Sequence, residues 1–106
     1  MNRIFDIVYC CEVVEHIDER YVGNIVLTLV GNCSKFLIIT YDPPGSGGYH
    51  HVNCRPEEYT LTLIISGGMS FEQELTQVVR NLVAYKSNEF RHFIKYGLIF
   101  SKKLMQ

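Results

Sequence analysis

The chain has 106 residues, of which 47% are hydrophobic and 20% charged, and its formal net charge is -1. This length and composition fit one small globular domain and exclude a disordered chain. The sequence has no basic run or stripe of the kind that binds nucleic acid. It also has no apolar run near the roughly 18–20 residues that a membrane span needs, so neither nucleic acid nor a membrane is predicted as a partner.

The four cysteines are not arranged as a disulfide or zinc framework. Cys10 and Cys11 are adjacent, Cys33 and Cys54 stand apart, and no C-x-x-C spacing or signal peptide is found. We therefore expect reduced, mostly buried thiols in a cytoplasmic protein.

The first half of the chain predicts a strand, a helix and a second strand. Residues 3–11 form a nearly continuous apolar run, which is typical of a strand buried on both faces of a parallel sheet. Asp18 is predicted to cap a helix that has apolar residues at spacings of three and four and ends at Gly31 and Asn32. Residues 35–41 form the second apolar run, so the three elements predict a βαβ unit with a right-handed crossover.

The second half begins with a segment rich in proline and glycine, residues 42–48, which cannot continue a regular element. A helix is predicted to start with Pro56 in its first turn and to end at Gly67 and Gly68. Residues 71–85 and 88–94 are predicted to be helical, and residues 96–102 to form the last strand. The predicted fold class is therefore α/β.

Two polar clusters follow the two predicted parallel strands. The first has the pattern E-x-x-E-H, with Glu12, Glu15 and His16, and the second covers residues 42–53 with His50 and His51. Open α/β sheets bind ligands beyond the carboxyl ends of their strands. Both clusters can therefore face one pocket.

Three segments carry a resemblance to a known family. The segment F-D-I-V-Y-C-C-E-V-V-E-H-I resembles the fourth strand and following loop of class I S-adenosylmethionine-dependent methyltransferases. The segment P-P-G-S-G-G-Y-H-H-V-N-C-R-P-E-E-Y is similar to the loop after the fifth strand in one subset of them. The tail, with L-T-x-x-x-R and G-L-I-F-S-K-K, resembles that subset's closing hairpin.

The resemblance covers nearly the whole chain and implies a partial Rossmann-like fold. Residues 1–106 are expected to form one partial domain, the last strands of a seven-stranded, mostly parallel sheet with an antiparallel final strand. The family's glycine-rich cofactor loop and the acidic residue that holds the ribose have no counterpart here, since the one glycine cluster, residues 45–48, follows the wrong strand. We therefore expect the C-terminal half of a methyltransferase domain, a fragment without the N-terminal cofactor-binding half.

The resemblance also implies roles for the polar clusters. Glu12, His50 and His51 are the candidate catalytic residues, with a histidine as general base because its pKa lies near neutrality. The residues expected to bind the cofactor, S-adenosylmethionine, are Glu12, Glu15 and His16. Alternatively, Glu15 and His16 only pack and hydrogen-bond at the start of the helix, and the later histidines bond to loop backbone.

A divalent metal is a further alternative for the same residues. Glu12, Glu15, His16 and His50 offer carboxylates and imidazoles that suit Mg²⁺, Mn²⁺ or Zn²⁺, and one methyltransferase subgroup uses E-x-x-E-H with a later histidine in this way. Relatives with the same motif and no metal leave this alternative open. Asn53 and Arg55 are expected to order the loop.

The predicted function is transfer of a methyl group from S-adenosylmethionine to a small molecule or another acceptor, with weak or no activity in the isolated chain. The alternative is a non-catalytic remnant or partner subunit. Its first strand would expose a sheet edge, and a second chain that supplies the cofactor half would dock there.

Overall fold

The computed structural model describes residues 3–11, 13–45, 53–86 and 91–102. In chain order the described elements are β1 (Phe5–Cys10), a single 3-10 turn (Val14–His16), α1 (Glu19–Gly31), β2 (Cys33–Thr40), α2 (Glu57–Ser66), β3 (Met69–Phe71), α3 (Gln73–Lys86), α4 (Arg91–Tyr96) and β4 (Gly97–Lys102). The predicted α/β class is confirmed.

The described strands form one mixed sheet in the order β1-β2-β4-β3. β1 pairs with β2 in parallel, as predicted for the βαβ unit. β4 is antiparallel to both β2 and β3, which confirms the prediction for the last strand. The carboxyl ends of β1 and β2 therefore lie at the same edge of the sheet.

The helix between the parallel strands begins and ends where the sequence predicts. The side chain of Asp18 accepts a hydrogen bond from the backbone N–H of Arg20 at 3.0 Å, which satisfies one of the free donors of the first turn. Asn32 follows the last residue of α1. Val22, Val26 and Val30, spaced four apart, are buried, so one face of the helix packs on the core.

The core lies between this helix face and the central strands. Its largest fully buried apolar side chains come from β2, β4 and α2: Leu37, Ile39, Leu98, Phe100 and Ile64. The tail motif also connects α3 to β4, because Oγ1 of Thr76 accepts from the backbone N–H of Ile99 at 3.0 Å and Nε of Arg80 donates to the carbonyl of Gly97 at 2.8 Å. Residues four apart on α3 thus hold the last strand.

The structure corrects three expectations. β1 is not buried on both faces: Phe5, Ile7 and Tyr9 are 50%, 58% and 64% exposed, because β1 lies at the edge of the described sheet and the helices contact mainly the other three strands. The strand β3 was not predicted, since three residues are too few to show a period. Pro56 precedes α2 and is not part of its first turn.

The thiols of the four cysteines are reduced, as predicted. Cys10 and Cys33 are buried, whereas Cys11 and Cys54 are partly exposed. Burial, followed by the nearby Cys11 and Glu15, raises the pKa of Cys10 to about 11, so its thiol stays protonated at neutral pH. None of the described helices combines the length and the apolar character needed to cross a membrane.

Candidate functional site

Two buried carboxyl groups meet at the edge where β1 and β2 end. Glu15 lies in the 3-10 turn after β1, and Asp42 lies two residues after β2. A carboxylate oxygen of each lies within 4.8 Å of the other. One residue of each polar cluster therefore meets the other at this edge of the sheet.

A third segment brings an imidazole to the same place. His92 lies in α4, and its Nε2 is 2.9 Å from Oδ1 of Asp42. The ring of Tyr96, one turn along α4, packs edge-on against the imidazole with centroids 5.1 Å apart, and it makes a similar contact with Tyr41 at 5.3 Å. These aromatic contacts position α4 over the end of β2.

The segment before α2 is tied to the same edge by backbone hydrogen bonds. The N–H of Asn53 donates to the carbonyl of Glu15 at 3.0 Å, and the N–H of Arg55 donates to the carbonyl of Asp42 at 2.8 Å. The Arg55 side chain reaches Oδ1 of Asn53 and a carboxylate oxygen of Glu19, both at 2.8 Å. These contacts agree with the loop-ordering role predicted for Asn53 and Arg55.

The Glu15 carboxyl group is buried without hydrogen bonds. Glu15 is 1% exposed, and neither of its carboxylate oxygens has a hydrogen-bond partner of good geometry, although its own backbone amide lies near enough to act on its charge. Burial, and then the negative charge of Asp42, raises the pKa of Glu15; its own backbone amide and the imidazoles of His92 and His16 act in the opposite direction. A buried carboxylate of this kind is unstable unless a proton or a cation neutralises it.

Replacing Glu15 with Gln keeps the shape of the side chain and removes the charge. We expect the free energy of unfolding at pH 7 to rise, as measured by urea denaturation in the presence of a chelator, because the neutral amide avoids both the desolvation of a buried charge and its repulsion by Asp42. Because the pKa of Glu15 is raised in the folded state, the stability contributed by its proton is complete below the ordinary value of 4.5 and is lost as the pH rises through the folded pKa.

The gain from Glu15→Gln should therefore shrink as the pH falls toward 4.5. Glu74→Gln is the matched control, since Glu74 is exposed in the first turn of α3 and its replacement should bring no gain at any pH. A Glu15→Gln variant that is no more stable than the unmodified chain at pH 7 would contradict this account of the carboxyl group.

The structure describes only some of the site residues that were predicted from the sequence. Glu12, His50 and His51 lie outside the described residues. Of the remaining candidates, Glu15 belongs to the buried group, whereas His16 is exposed at the end of the 3-10 turn. Among the described residues, the group whose ligand atoms converge is Glu15, Asp42 and His92.

Sequence reasoning missed two members of that group. Asp42 is the first residue of the polar cluster after β2, and its position at a strand end was the available signal. His92 had no comparable signal, because it lies in a helical segment whose placement depends on packing between α4 and the sheet.

Two cavities lie elsewhere on the described surface. One of about 260 Å³ is lined by Tyr9, Ile38, Val79, Val83 and Phe93. The other, of about 390 Å³, is lined by Arg3, Phe5, Val8, Thr28, Leu29 and Asn32. The titratable residues at the carboxyl edge line neither of them, so the polar group and these mainly apolar cavities are separate features.

The comparisons with known proteins rest on structure alone. No protein-family model matches the chain, and no curated protein matches it by sequence. Among solved structures, 97% of the chain matches magnesium protoporphyrin IX methyltransferase from Synechocystis PCC 6803 with bound S-adenosylmethionine, at a TM-score of 0.63 and 14% identity. The same enzyme with bound S-adenosylhomocysteine matches 97% of the chain at a TM-score of 0.65 and 13% identity.

The match is confined to part of each solved structure, since the chain spans 41% and 47% of the two solved chains. At these identities the likeness concerns the fold, which is the mixed α/β arrangement with the four-stranded sheet described above. The chain thus has a methyltransferase-like α/β fold over less than half the length of the solved methyltransferase chains.

Proposed function

We propose that this chain is part of an S-adenosylmethionine-dependent methyltransferase and supplies the edge of the sheet where β1 and β2 end. The observation that carries the proposal is the match of nearly the whole described fold to an enzyme with S-adenosylmethionine bound. The sequence motifs after β1 and β2 support it independently, because their polar residues follow the strand ends that bind ligands in open α/β sheets.

The charge at this edge suits the methyl donor. The sulfonium of S-adenosylmethionine is positive, and the carboxyl groups of Glu15 and Asp42 at this edge would attract it in a medium of low dielectric constant while no metal ion neutralises them. In the transfer, the carbon–sulfur bond breaks with its electron pair going to sulfur, and the methyl carbon bonds to a nucleophilic atom of the acceptor. The protein supplies proximity and alignment, and a base takes the acceptor's proton where there is one.

The proposed roles follow the sequence motifs. Glu12, Glu15 and His16 would line the donor site on the turn after β1. Glu12 and either His50 or His51 would position the acceptor or take its proton, since a histidine of ordinary pKa can serve as a base near neutrality. Glu15 is only 1% exposed. It would therefore act on the donor mainly through its charge rather than by direct contact.

We further propose that the described sheet is the last four strands of a seven-stranded sheet. The order β1-β2-β4-β3 with an antiparallel β4 agrees with that end of the fold. A complementary half, with a glycine-rich loop and a ribose-binding carboxylate, would then complete the cofactor site.

Calorimetric titration with S-adenosylhomocysteine tests the proposal. We expect weak binding by the 106-residue chain and micromolar binding by a form extended at its N-terminus with a strand and glycine-rich loop, because that loop's backbone would contact the cofactor. Micromolar binding by the 106-residue chain itself would refute the need for a second half. No binding by either form would refute the methyltransferase function.

A second candidate function is that of a partner subunit, and the exposure of β1 favours it. Ile4, Phe5, Ile7 and Tyr9 are 69%, 50%, 58% and 64% exposed, and β1 pairs with β2 alone among the described strands. An exposed apolar edge strand readily pairs with another chain. We propose that the occupant of this edge is the strand of a second chain that carries the cofactor-binding half.

A lysine on β1 tests this edge. In analytical ultracentrifugation we expect the unmodified chain to associate through its open edge in the absence of the partner, and Ile7→Lys to sediment as a monomer, because a charge on an edge strand opposes pairing. Leu27→Lys is the control: Leu27 is 68% exposed but lies on α1, so this variant should still associate. A concentration-independent monomer for the unmodified chain would count against the docking edge.

A further inference from the structure

The buried group at the carboxyl edge has the features of a metal site. One ligand atom from each of Glu15, Asp42 and His92 lies within 4.8 Å of the other two. The three residues come from the turn after β1, the loop after β2 and α4. Ligands on opposite sides of one cation, each at about 2.0–2.2 Å, lie at most about 4.4 Å apart, so small side-chain rotations are enough to bring the three atoms onto one ion.

The state of Glu15 is a second and independent indication of a ligand. The residue is 1% exposed, and both of its carboxylate oxygens lack a hydrogen-bond partner although they lie in the group with Asp42 and His92. Buried polar atoms nearly always have a partner, so an orphaned carboxylate requires an explanation such as an ion. A cation between the two carboxyl groups would satisfy these oxygens.

The charges of Glu15, Asp42 and His92 also favour a bound cation. Among the described residues, the buried carboxyl groups of Glu15 and Asp42 converge with the imidazole of His92, so with a neutral His92 the group carries up to two negative charges. Nε2 of His92 is 2.9 Å from Oδ1 of Asp42 but is not engaged in a well-aligned hydrogen bond. A neutral imidazole nitrogen is free to coordinate in that position, and a divalent cation would balance both carboxylates.

We propose that Glu15, Asp42 and His92 bind a divalent transition-metal cation of the Zn²⁺ class. Two carboxylate oxygens and one imidazole nitrogen form a mixed set that suits Zn²⁺ or Mn²⁺ better than Mg²⁺, which prefers oxygen ligands. Three protein ligands would leave the fourth position of a tetrahedral Zn²⁺ to a water molecule. The ion would tie the turn after β1 and the loop after β2 to α4.

The ligand set differs from the one that the E-x-x-E-H motif suggests. It shares Glu15 with that set, but it replaces His16 and His50 with Asp42 and His92. The inference does not depend on methyl transfer, because it rests on the contacts of these three residues. The metal could therefore be structural in a chain with no enzymatic activity.

Isothermal titration of the chelator-treated chain with ZnCl₂, and in parallel with MnCl₂ and MgCl₂, tests the site. We expect one Zn²⁺ per chain, with Mg²⁺ the weakest of the three. His92→Gln and Glu15→Gln should each weaken Zn²⁺ binding by more than the roughly 10- to 100-fold that the loss of an outer-sphere partner costs. Glu74→Gln, a change of the same type at an exposed position, should bind Zn²⁺ as the unmodified chain does.

Two further measurements keep the result unambiguous. The absorption spectrum of the Co²⁺-loaded chain should lack thiolate charge-transfer bands, and their presence would assign the ion to cysteines and overturn the proposal. Thermal denaturation without metal should show Glu15→Gln to be folded, so that its loss of binding reflects a missing ligand. Unchanged Zn²⁺ affinity in His92→Gln would also overturn the proposal. The same holds if His50→Gln loses Zn²⁺ binding and His92→Gln does not.

Discussion

The isolated 106-residue chain is expected to show no methyl transfer above background when it is mixed with radiolabelled S-adenosylmethionine and a broad panel of acceptors. The family's cofactor affinity draws on backbone contacts from a glycine-rich loop and on a carboxylate that holds the ribose, and this sequence supplies neither. Two or three missing hydrogen bonds to charged or buried groups, at roughly 1.5–3 kcal/mol each, weaken binding by several powers of ten.

If a second half completes the site, as proposed, the site of the isolated chain would be open on one side, and contacts exposed to water are electrostatically weaker than contacts in a closed pocket. Contaminating enzymes are excluded by two variants of the predicted catalytic residues, Glu12→Gln and His50→Ala. Turnover by the unmodified chain that disappears in both variants would contradict the prediction, since activity from a contaminant would not follow these substitutions.

The second large effect is expected for Gly97→Ala, at the start of β4. A Cβ atom at this position would lie 2.5 Å from ring atoms of Phe93 and 2.7 Å from the Phe93 carbonyl oxygen, and the carbonyl belongs to the backbone of α4, which yields less readily than a side chain. We expect a loss of roughly 2–3 kcal/mol from overpacking. In a domain of this size that lowers the melting temperature by about 10–20 °C.

The substitution should also disturb the buried polar group, because Phe93 directly follows His92 in α4. Gly23→Ala is the control, since nothing lies within 4 Å of a Cβ at Gly23 in α1 and alanine is the better helix former by about 0.8–1 kcal/mol. Calorimetric melting should therefore show opposite shifts for the two variants. A Gly97→Ala chain as stable as the unmodified chain would refute the close approach of α4 to β4.

Much of the fold could be predicted because its first half is specified locally. The cap at Asp18, the stop at Asn32 and the spacing of Val22, Val26 and Val30 are signals that lie within a few residues of one another. The parallel pairing of β1 and β2 follows from the helix between them. These features need no knowledge of the rest of the chain.

The features that were not predicted depend on contacts between distant segments. The apolar run of β1 does not reveal that the face with Phe5, Ile7 and Tyr9 is left exposed, so this exposure could not be predicted from the pattern. β3 is a strand because Met69 and Phe71 pair with β4, some thirty residues later. His92 joins Asp42 through the packing of α4, which involves Tyr96 and Tyr41.

The candidate site was predictable in position rather than in composition. Polar residues after two neighbouring parallel strands predict a shared edge, and Glu15 and Asp42 do meet there. Which side chains turn inward is decided by the local backbone, since Glu15 is buried and the adjacent His16 is exposed. The motif E-x-x-E-H alone does not carry that information.

NMR can show whether the carboxyl edge of β1 and β2 faces S-adenosylmethionine, as proposed, because weak binding is still visible by this method. The ¹⁵N-labelled chain is titrated with S-adenosylhomocysteine to millimolar concentration, with adenosine monophosphate as the control nucleotide. We expect shifts of the backbone amides of Glu15, His16 and Asp42, with those of Gly68 and Met69 at the opposite edge unmoved. Absent shifts, shifts confined to Gly68 and Met69, or an identical response to adenosine monophosphate would contradict the proposal.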